Sequence, residues 1–344
     1  MKKYSVNSFW GRVILHCFDF FLPRIKSKPI PQKIERLLIS NIAHLGDLVL
    51  ATSILEPIKK AYPGIKIGFL VSSFSKQVIE EHPLVDFIHV FDHWKLNRAK
   101  IPFWKKVFCY FRTRSLAIKE IKGKHYDVAL DLYIYFPNTI FLFWQSRIPI
   151  RVGYQSGGAG PLLTHSLPRV DNKRHIVENH FALLEFLGIF SSPQVFPLPI
   201  PEEIASLEGL VIFHMGEPGS LKAWKPEYWK TLGRSLKGVQ IAFTGQNKEE
   251  FEAAAHIVQE IPSALNLCGK LSFLELACLI KKAKLLISVD SVPLHLAASY
   301  KTPTIALFSK HSFPDQWRPL NPKAVCLTLP SPSAVYQEAK AFLC

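Results

Sequence analysis

Apolar residues in this chain fall into short continuous runs, separated by longer stretches in which they recur every three or four positions. Leu37-Leu38-Ile39 is such a run and predicts a buried parallel strand. A loop ending in Gly46-Asp47 follows, and Leu48, Ala51, Leu55 and Ile58 then recur at helical spacing, so a helix is expected to start at or just after Asp47. Further strands are predicted over 66 to 71, 87 to 91 and 126 to 132, and a helix over 175 to 188. Pro193, Pro197, Pro199 and Pro201 then break the pattern, which marks a domain boundary. The alternation restarts with strands over 210 to 215, 239 to 244, 285 to 289, 304 to 308 and 325 to 329. Helices are expected between them over 226 to 237, 248 to 260, 272 to 283 and 293 to 300, with a last one over 333 to 343. Strands alternating with helices in both halves predict an α/β protein of two Rossmann-like domains, 34–200 and 201–344, behind an extension of residues 1–33.

The chain is long enough, at 344 residues, for each domain to bury its own core. Its formal charge is +15, which points to an anionic partner: nucleic acid, an anionic membrane or a phosphorylated substrate. No stretch resembles a nucleic-acid-reading motif, so no nucleic acid is expected. The six cysteines show no metal-ligand or redox spacing and read as reduced thiols of a cytosolic protein. No apolar run approaches the ~18 residues of a membrane span. His16 and Asp19 interrupt the most apolar N-terminal stretch, and no small-residue cleavage site follows it, which argues against a signal peptide.

Charge and aromatic residues coincide in two places. In the extension, Phe9, Trp10, Val13, Ile14, Cys17, Phe18 and Phe21 share one helical face, flanked by Lys2, Lys3, Arg12, Arg24, Lys26 and Lys28. Such a face suits a membrane interface, and equally suits docking on the protein's own surface. Residues 93 to 124 interleave Trp94, Phe103, Trp104, Phe108, Tyr110 and Phe111 with basic residues including Arg98, Lys100, Arg112 and Arg114. A solvated helix face explains the charge alone; with the aromatic residues it suits an anionic, lipid-linked partner.

Candidate chemistry gathers in three stretches. Asp47 is a carboxylate at a helix N-terminus beside the carboxyl end of a strand, where open α/β sheets bind ligands; it would serve there as a base or simply as an N-cap. In 288–309, Ser291 and the amides of Val292 and Leu294 (Pro293 has none) sit at a helix N-terminus suited to a pyrophosphate, or form an ordinary turn capped by Asp290 or Ser291. In 214–229, a Gly/Pro-rich loop carries Lys222 just before a helix, where it would neutralise an anion or remain a solvated surface residue. The loop Gly157-Gly158-Ala159-Gly160 lacks the strand-before, helix-after setting of a dinucleotide fingerprint.

Taken in order, these stretches resemble glycosyltransferase family 9, the heptosyltransferases of lipopolysaccharide core assembly, over residues 36 to about 330. GDLVLATSILEPIKKAYP (46–63) is similar to the family's opening motif, Lys222-Ala223-Trp224 to its donor-phosphate lysine region, and DSVPLHLAA (290–298) to its donor-binding motif. Arg151-Val152-Gly153-Tyr154 resembles a family element that precedes the linker. The chain departs from the pattern at Val292, where glycine is usual, and at Ser309-Lys310, where glycine often opens the loop.

The resemblance implies a GT-B fold, two Rossmann-like domains facing a central cleft, with the last helix packing back on the N-terminal domain. It implies inverting, metal-independent transfer from an ADP-heptose donor to a lipid A–core acceptor, with no cofactor. The implied catalytic base is Asp47. Lys222, Asp290, Ser291, Val292, Leu294 and His295 would bind the donor, and Gly46, Arg112, Arg114 and Arg151 the acceptor. The implied location is cytoplasmic, peripheral on the anionic cytoplasmic face of the inner membrane. Two other readings stay open: another sugar-nucleotide enzyme on the same fold, such as an epimerase, or a donor-binding protein without turnover.

Overall fold

The computed structural model describes residues 4, 9–97, 99, 101–135, 138–171, 173–201 and 207–343. Lys2, Lys3, Arg98, Lys100 and Cys344 lie outside the described residues. The chain divides into two compact units, Met1–Pro193 and Gln194–Cys344.

The N-terminal unit contains β1 (Arg36–Ser40), β2 (Lys66–Val71), β3 (Phe87–Val90), β4 (Val128–Asp131), β5 (Ile150–Tyr154) and β6 (His165–Leu167). Its helices are α1 (Phe9–Phe21), α2 (Leu45–Ala51), α3 (Leu55–Ala61), α4 (Phe103–Lys124), α5 (Asn138–Gln145) and α6 (Ile176–Leu184). The sheet is parallel throughout, in the order β3-β2-β1-β4-β5-β6. Central β1 pairs Ile39 with Phe69 on one side and Leu130 on the other, and all three are fully buried. Helices cover both faces of such a sheet, which is why its strands are unbroken apolar runs rather than alternating ones.

The C-terminal unit repeats the plan with β7 (Val211–His214), β8 (Ile241–Thr244), β9 (Ala264–Asn266), β10 (Leu285–Val289), β11 (Thr304–Phe308) and β12 (Ala324–Thr328). Its helices are α7 (Pro226–Ser235), α8 (Lys248–Val258), α9 (Phe273–Lys281), α10 (Val292–Tyr300), α11 (Pro314–Trp317) and α12 (Pro332–Leu343). The order β12-β11-β10-β7-β8-β9, again all parallel, is the same doubly wound arrangement. Trp229 of α7, packed against Phe213 of β7, is the largest fully buried side chain among the described residues. The last helix, α12, packs within this unit: Val335 and Ala339 are fully buried in its core, beside α7 and β10.

Short elements escape the pattern reading. β6 and β9 have three residues each, too few to show a periodicity, and α5 is a two-turn helix whose sequence, NTIFLFWQ, is apolar almost all round. Helix α1 forms where expected and is tied to the N-terminal unit by its polar side. Buried Asp19 accepts from the Ala159 amide at 2.7 Å and from the Tyr4 hydroxyl at 2.9 Å, while Leu22 and Ile25 pack against Ile140, Leu162 and Leu163. The glycine-rich loop is thus the seat of α1. Phe9, Trp10, Ile14 and Phe21 on the opposite side remain exposed.

Gly68 of β2 allows one close approach. A Cβ there would lie 1.9 Å from the Tyr126 hydroxyl, which is held by His89 Nε2 at 2.8 Å. Gly68→Ala should therefore destabilise the protein by about 1–3 kcal/mol through overpacking, measured by denaturant unfolding. An unchanged midpoint would mean that the tyrosine moves aside freely.

Candidate active site

Each sheet has a switch point where successive connections leave in opposite directions, β1/β4 in the first unit and β7/β10 in the second. Ligands of doubly wound sheets bind outside the carboxyl ends of the strands at such points. The sequence-predicted residues fall at both.

At the first, α2 begins at Leu45, two residues earlier than the apolar spacing predicts, because His44 is the N-cap and Asp47 lies inside the first turn. The Asp47 carboxylate accepts from the His44 amide at 3.3 Å, so it does cap the helix. It remains half-buried, while Gly46 is buried beneath it. Its surroundings include two groups that sequence reasoning missed. Tyr133, just beyond β4, has its hydroxyl pKa raised by burial and then by the negative charge of Asp47. Asp131 closes β4 with a carboxylate only 2% exposed, which accepts from Ser40 Oγ at 2.7 Å, Thr139 Oγ1 at 2.9 Å and the Tyr133 amide at 3.1 Å. Burial lifts its pKa to about 7. A carboxylate ending an apolar central strand, as in Val128-Ala129-Leu130-Asp131, was the available signal.

The expected acceptor arginines part company. Arg112 is exposed on α4, and Arg114 is half-buried there, donating to Gln145 of α5. Arg151 is a correction: its side chain is buried in β5, with Nε donating to the Leu162 carbonyl at 2.7 Å and Nη1 to that of Ile148. Its donors are taken up by backbone carbonyls before and after β5, so the side chain holds the fold.

At the second switch point, the loop after β7 crosses closely over β10. Gly216 has φ +69°, and a Cβ on it would stand 2.8 Å from Val289 Cγ2. The far end of the loop is fixed by Trp224, buried beside Trp229 and donating its Nε1 proton to the Pro330 carbonyl at 2.9 Å. Between these anchors, Lys222 reaches the Asp290 carboxylate, Nζ to Oδ2, at 2.7 Å. Lys222 is half-exposed and Asp290 almost fully buried. His295, one helical turn on, is buried with its ring tilted against that of Trp317, and desolvation depresses its pKa to about 4, so it is neutral at pH 7.

Ser291 occupies the N-cap position of α10 without a side-chain capping bond. Val292 is half-buried and is not among the residues of positive φ, so its side chain costs the turn no backbone strain. Leu294 is a second correction: its side chain is fully buried and its amide donates to the Ser291 carbonyl at 3.1 Å. The turn therefore offers the Ser291 hydroxyl and the Val292 amide beside the Lys222 ammonium. This arrangement suits a diphosphate, which accepts from all three.

The model of glycosyltransferase family 9 (heptosyltransferase) matches residues 114–342. The chain belongs to glycosyltransferase family 9. The match contains the Lys222 and Asp290 turns; Asp47 precedes it. Among similar proteins, lipopolysaccharide heptosyltransferase 3 of Escherichia coli is 26% identical over 296 residues, covering 80% of this chain and 83% of its own. Lipopolysaccharide heptosyltransferase 2 of Salmonella typhimurium is 24% identical, covering 86% and 88%. A family 9 glycosyl transferase structure from Veillonella parvula superposes with a TM-score of 0.77 at 23% identity, covering 92% of this chain and 99% of that one. Escherichia coli heptosyltransferase WaaC with ADP gives 0.73 at 20%, covering 89% and 99%. The fold is accordingly GT-B, and this family 9 chain is a glycosyltransferase.

Two buried groups of this glycosyltransferase pull its pH stability in opposite directions. The Asp131 carboxyl, raised to about 7, binds its proton more tightly folded than unfolded, so its contribution is complete below the ordinary 3.8 and is lost as pH rises through 7. His295, depressed from 6.5 to about 4, costs stability as pH falls between those values. The two windows overlap, so between about pH 4 and 6.5 the two contributions oppose each other. Asp131→Asn should remove the one that falls as pH rises and leave stability climbing more steeply through that window, by at most about 1.4 kcal/mol per pH unit. Thermal melts from about pH 4 to 8 read the change; a variant whose profile runs parallel to wild type across that range would refute the assignment.

Proposed function

We propose that this chain transfers a heptose from an ADP-heptose donor to a hydroxyl of the lipid A–core acceptor of lipopolysaccharide, with inversion at the anomeric carbon and without a metal. The observation that carries this reading is the Lys222–Asp290 pair at the N-terminus of α10, on the switch point of a family 9 sheet. The names of the similar proteins, lipopolysaccharide heptosyltransferases 3 and 2, supply the sugar and the acceptor class.

In this mechanism the N-terminal unit holds the acceptor and the C-terminal unit the donor. Asp47 takes the proton of the acceptor hydroxyl as its oxygen attacks the anomeric carbon. The bond from that carbon to the diphosphate oxygen breaks on the opposite face, and ADP departs with the electron pair. Lys222, the Ser291 hydroxyl and the Val292 amide receive the charge growing on the diphosphate. Asp290 orients Lys222 from a buried position, and neutral His295 packs behind the turn without adding positive charge. Gly46, buried beside Asp47, leaves the acceptor hydroxyl room to approach, and Arg112 with Arg114 would meet phosphates on the acceptor. No described helix is long and apolar enough to cross a membrane. The reading places the enzyme peripherally on the cytoplasmic face of the inner membrane, with the exposed aromatic side of α1 turned to the lipid.

Purified protein incubated with ADP-heptose should release ADP only when acceptor is present. Donor isomerised without acceptor would favour an epimerase, and binding without turnover a non-catalytic protein. Asp47→Asn should keep ADP affinity, measured by calorimetry, and lose turnover by about 10²-fold or more. A merely capping Asp47 would instead show as lower stability with normal kcat. Lys222→Ala should weaken ADP binding by about 1.5–3 kcal/mol, the scale of a charge-assisted hydrogen bond. Unchanged ADP affinity and turnover would remove Lys222 from the donor site.

A further inference from the structure

The α4–α5 side of the N-terminal unit carries features that sugar transfer does not use. Only Ala117 and Ile121 of the 22-residue α4 are buried. Phe103, Trp104, Phe108 and Phe111 are each 62–66% exposed, an arrangement that costs solvation unless something apolar meets them. Around these rings, and apart from Arg112 and Arg114 already assigned to the acceptor, α4 bears Lys105, Lys106, Lys119, Lys122 and Lys124, against a single acid, Glu120, which contacts His89 Nδ1 at 2.9 Å. Between α4 and α5 runs a groove of about 490 Å³ lined by Ile118, Lys122, Trp144, Gln145 and Arg147. Arg147 follows α5 at φ +60°, a left-handed position that glycine fills at lower cost, yet the chain places an arginine there at the groove. On the other side of α5, the Phe141 ring packs tilted against Phe18 of α1 with centroids 5.2 Å apart, so the exposed face of α1 adjoins the same region.

We propose that the α4–α5 groove seats the headgroup phosphate of an anionic bilayer phospholipid between Lys122 and Arg147, with Trp104, Phe108 and Phe111 entering the interfacial layer beside it. This deepens the peripheral-membrane part of the proposed function and rests on it. Charge complementarity selects the partner: an anionic bilayer offers phosphates and an apolar layer together, to a surface that presents cations and aromatic rings together, without requiring a fixed matching shape. A protein partner would need a surface both acidic and apolar, cut to the groove.

The test is co-sedimentation of the full chain with phosphatidylcholine vesicles, with and without phosphatidylglycerol. Wild type should bind the anionic vesicles. Lys122→Glu/Arg147→Glu should lower the partition by about thirtyfold, at about fivefold per cation removed, and further for the reversed charges. Phe108→Ser/Phe111→Ser should weaken binding as well, and both variants should keep wild-type melting curves and turnover on a short water-soluble acceptor. Variants that bind vesicles like wild type overturn the inference, as does complete loss on deleting residues 1–30 while both variants stay neutral. Displacement from vesicles by millimolar inorganic phosphate would assign the groove to free phosphate instead. Wild type that turns over the soluble acceptor yet ignores anionic vesicles sinks the docking site and leaves the transferase standing. Wild type that binds anionic vesicles but transfers no sugar does the reverse.

Discussion

The Asp131 carboxylate is the interaction on which the N-terminal half of the site depends. A carboxylate removed from water is costly unless hydrogen bonds satisfy it. Here Ser40 comes from β1, Thr139 from α5, and the Tyr133 amide from the loop between β4 and α5, so one group of β4 ties three elements together. That tie holds β1 and β4 at the point where their connections diverge, and it fixes the start of the loop that brings Tyr133 toward Asp47. The base proposed for the reaction owes its surroundings to a neighbour that never meets substrate.

The C-terminal half reaches a comparable result by other means. Its loop is pinned at one end by the absence of a side chain at Gly216 and at the other by the bulk of Trp224. Lys222 between them is long and flexible, and Asp290 gives it a direction. An ion pair with one partner exposed contributes little to stability. Its value here is geometric, since it keeps an ammonium beside the first turn of α10.

Much of this was legible in the chain. The strands forming the centre of each sheet are uninterrupted apolar runs, and Lys222, far from Asp290 in sequence, lies against it at the turn that also carries Ser291. The failures have physical causes. Arg151 looked like a binding residue because sequence records charge but not the carbonyls that absorb it. Leu294 was credited with a free amide, which the tight turn directs at Ser291 instead. Asp131 passed unnoticed because its two side-chain partners, Thr139 and Ser40, lie eight and 91 positions away and leave no pattern around it. The helix onset was misplaced because His44, an unusual N-cap, leaves no familiar signature.

The seat of α1 has a consequence for how the protein is made. Asp19 meets the Ala159 amide across 140 positions of chain. At roughly 5–20 residues per second of synthesis, about seven to thirty seconds separate the emergence of the aromatic helix from that of its seat. Through that interval Phe9, Trp10, Phe18 and Phe21 are carried by a nascent chain that has not yet made their seat. The aromatic helix is then at its stickiest, and a chaperone or a lipid surface near the ribosome has the first opportunity to hold it.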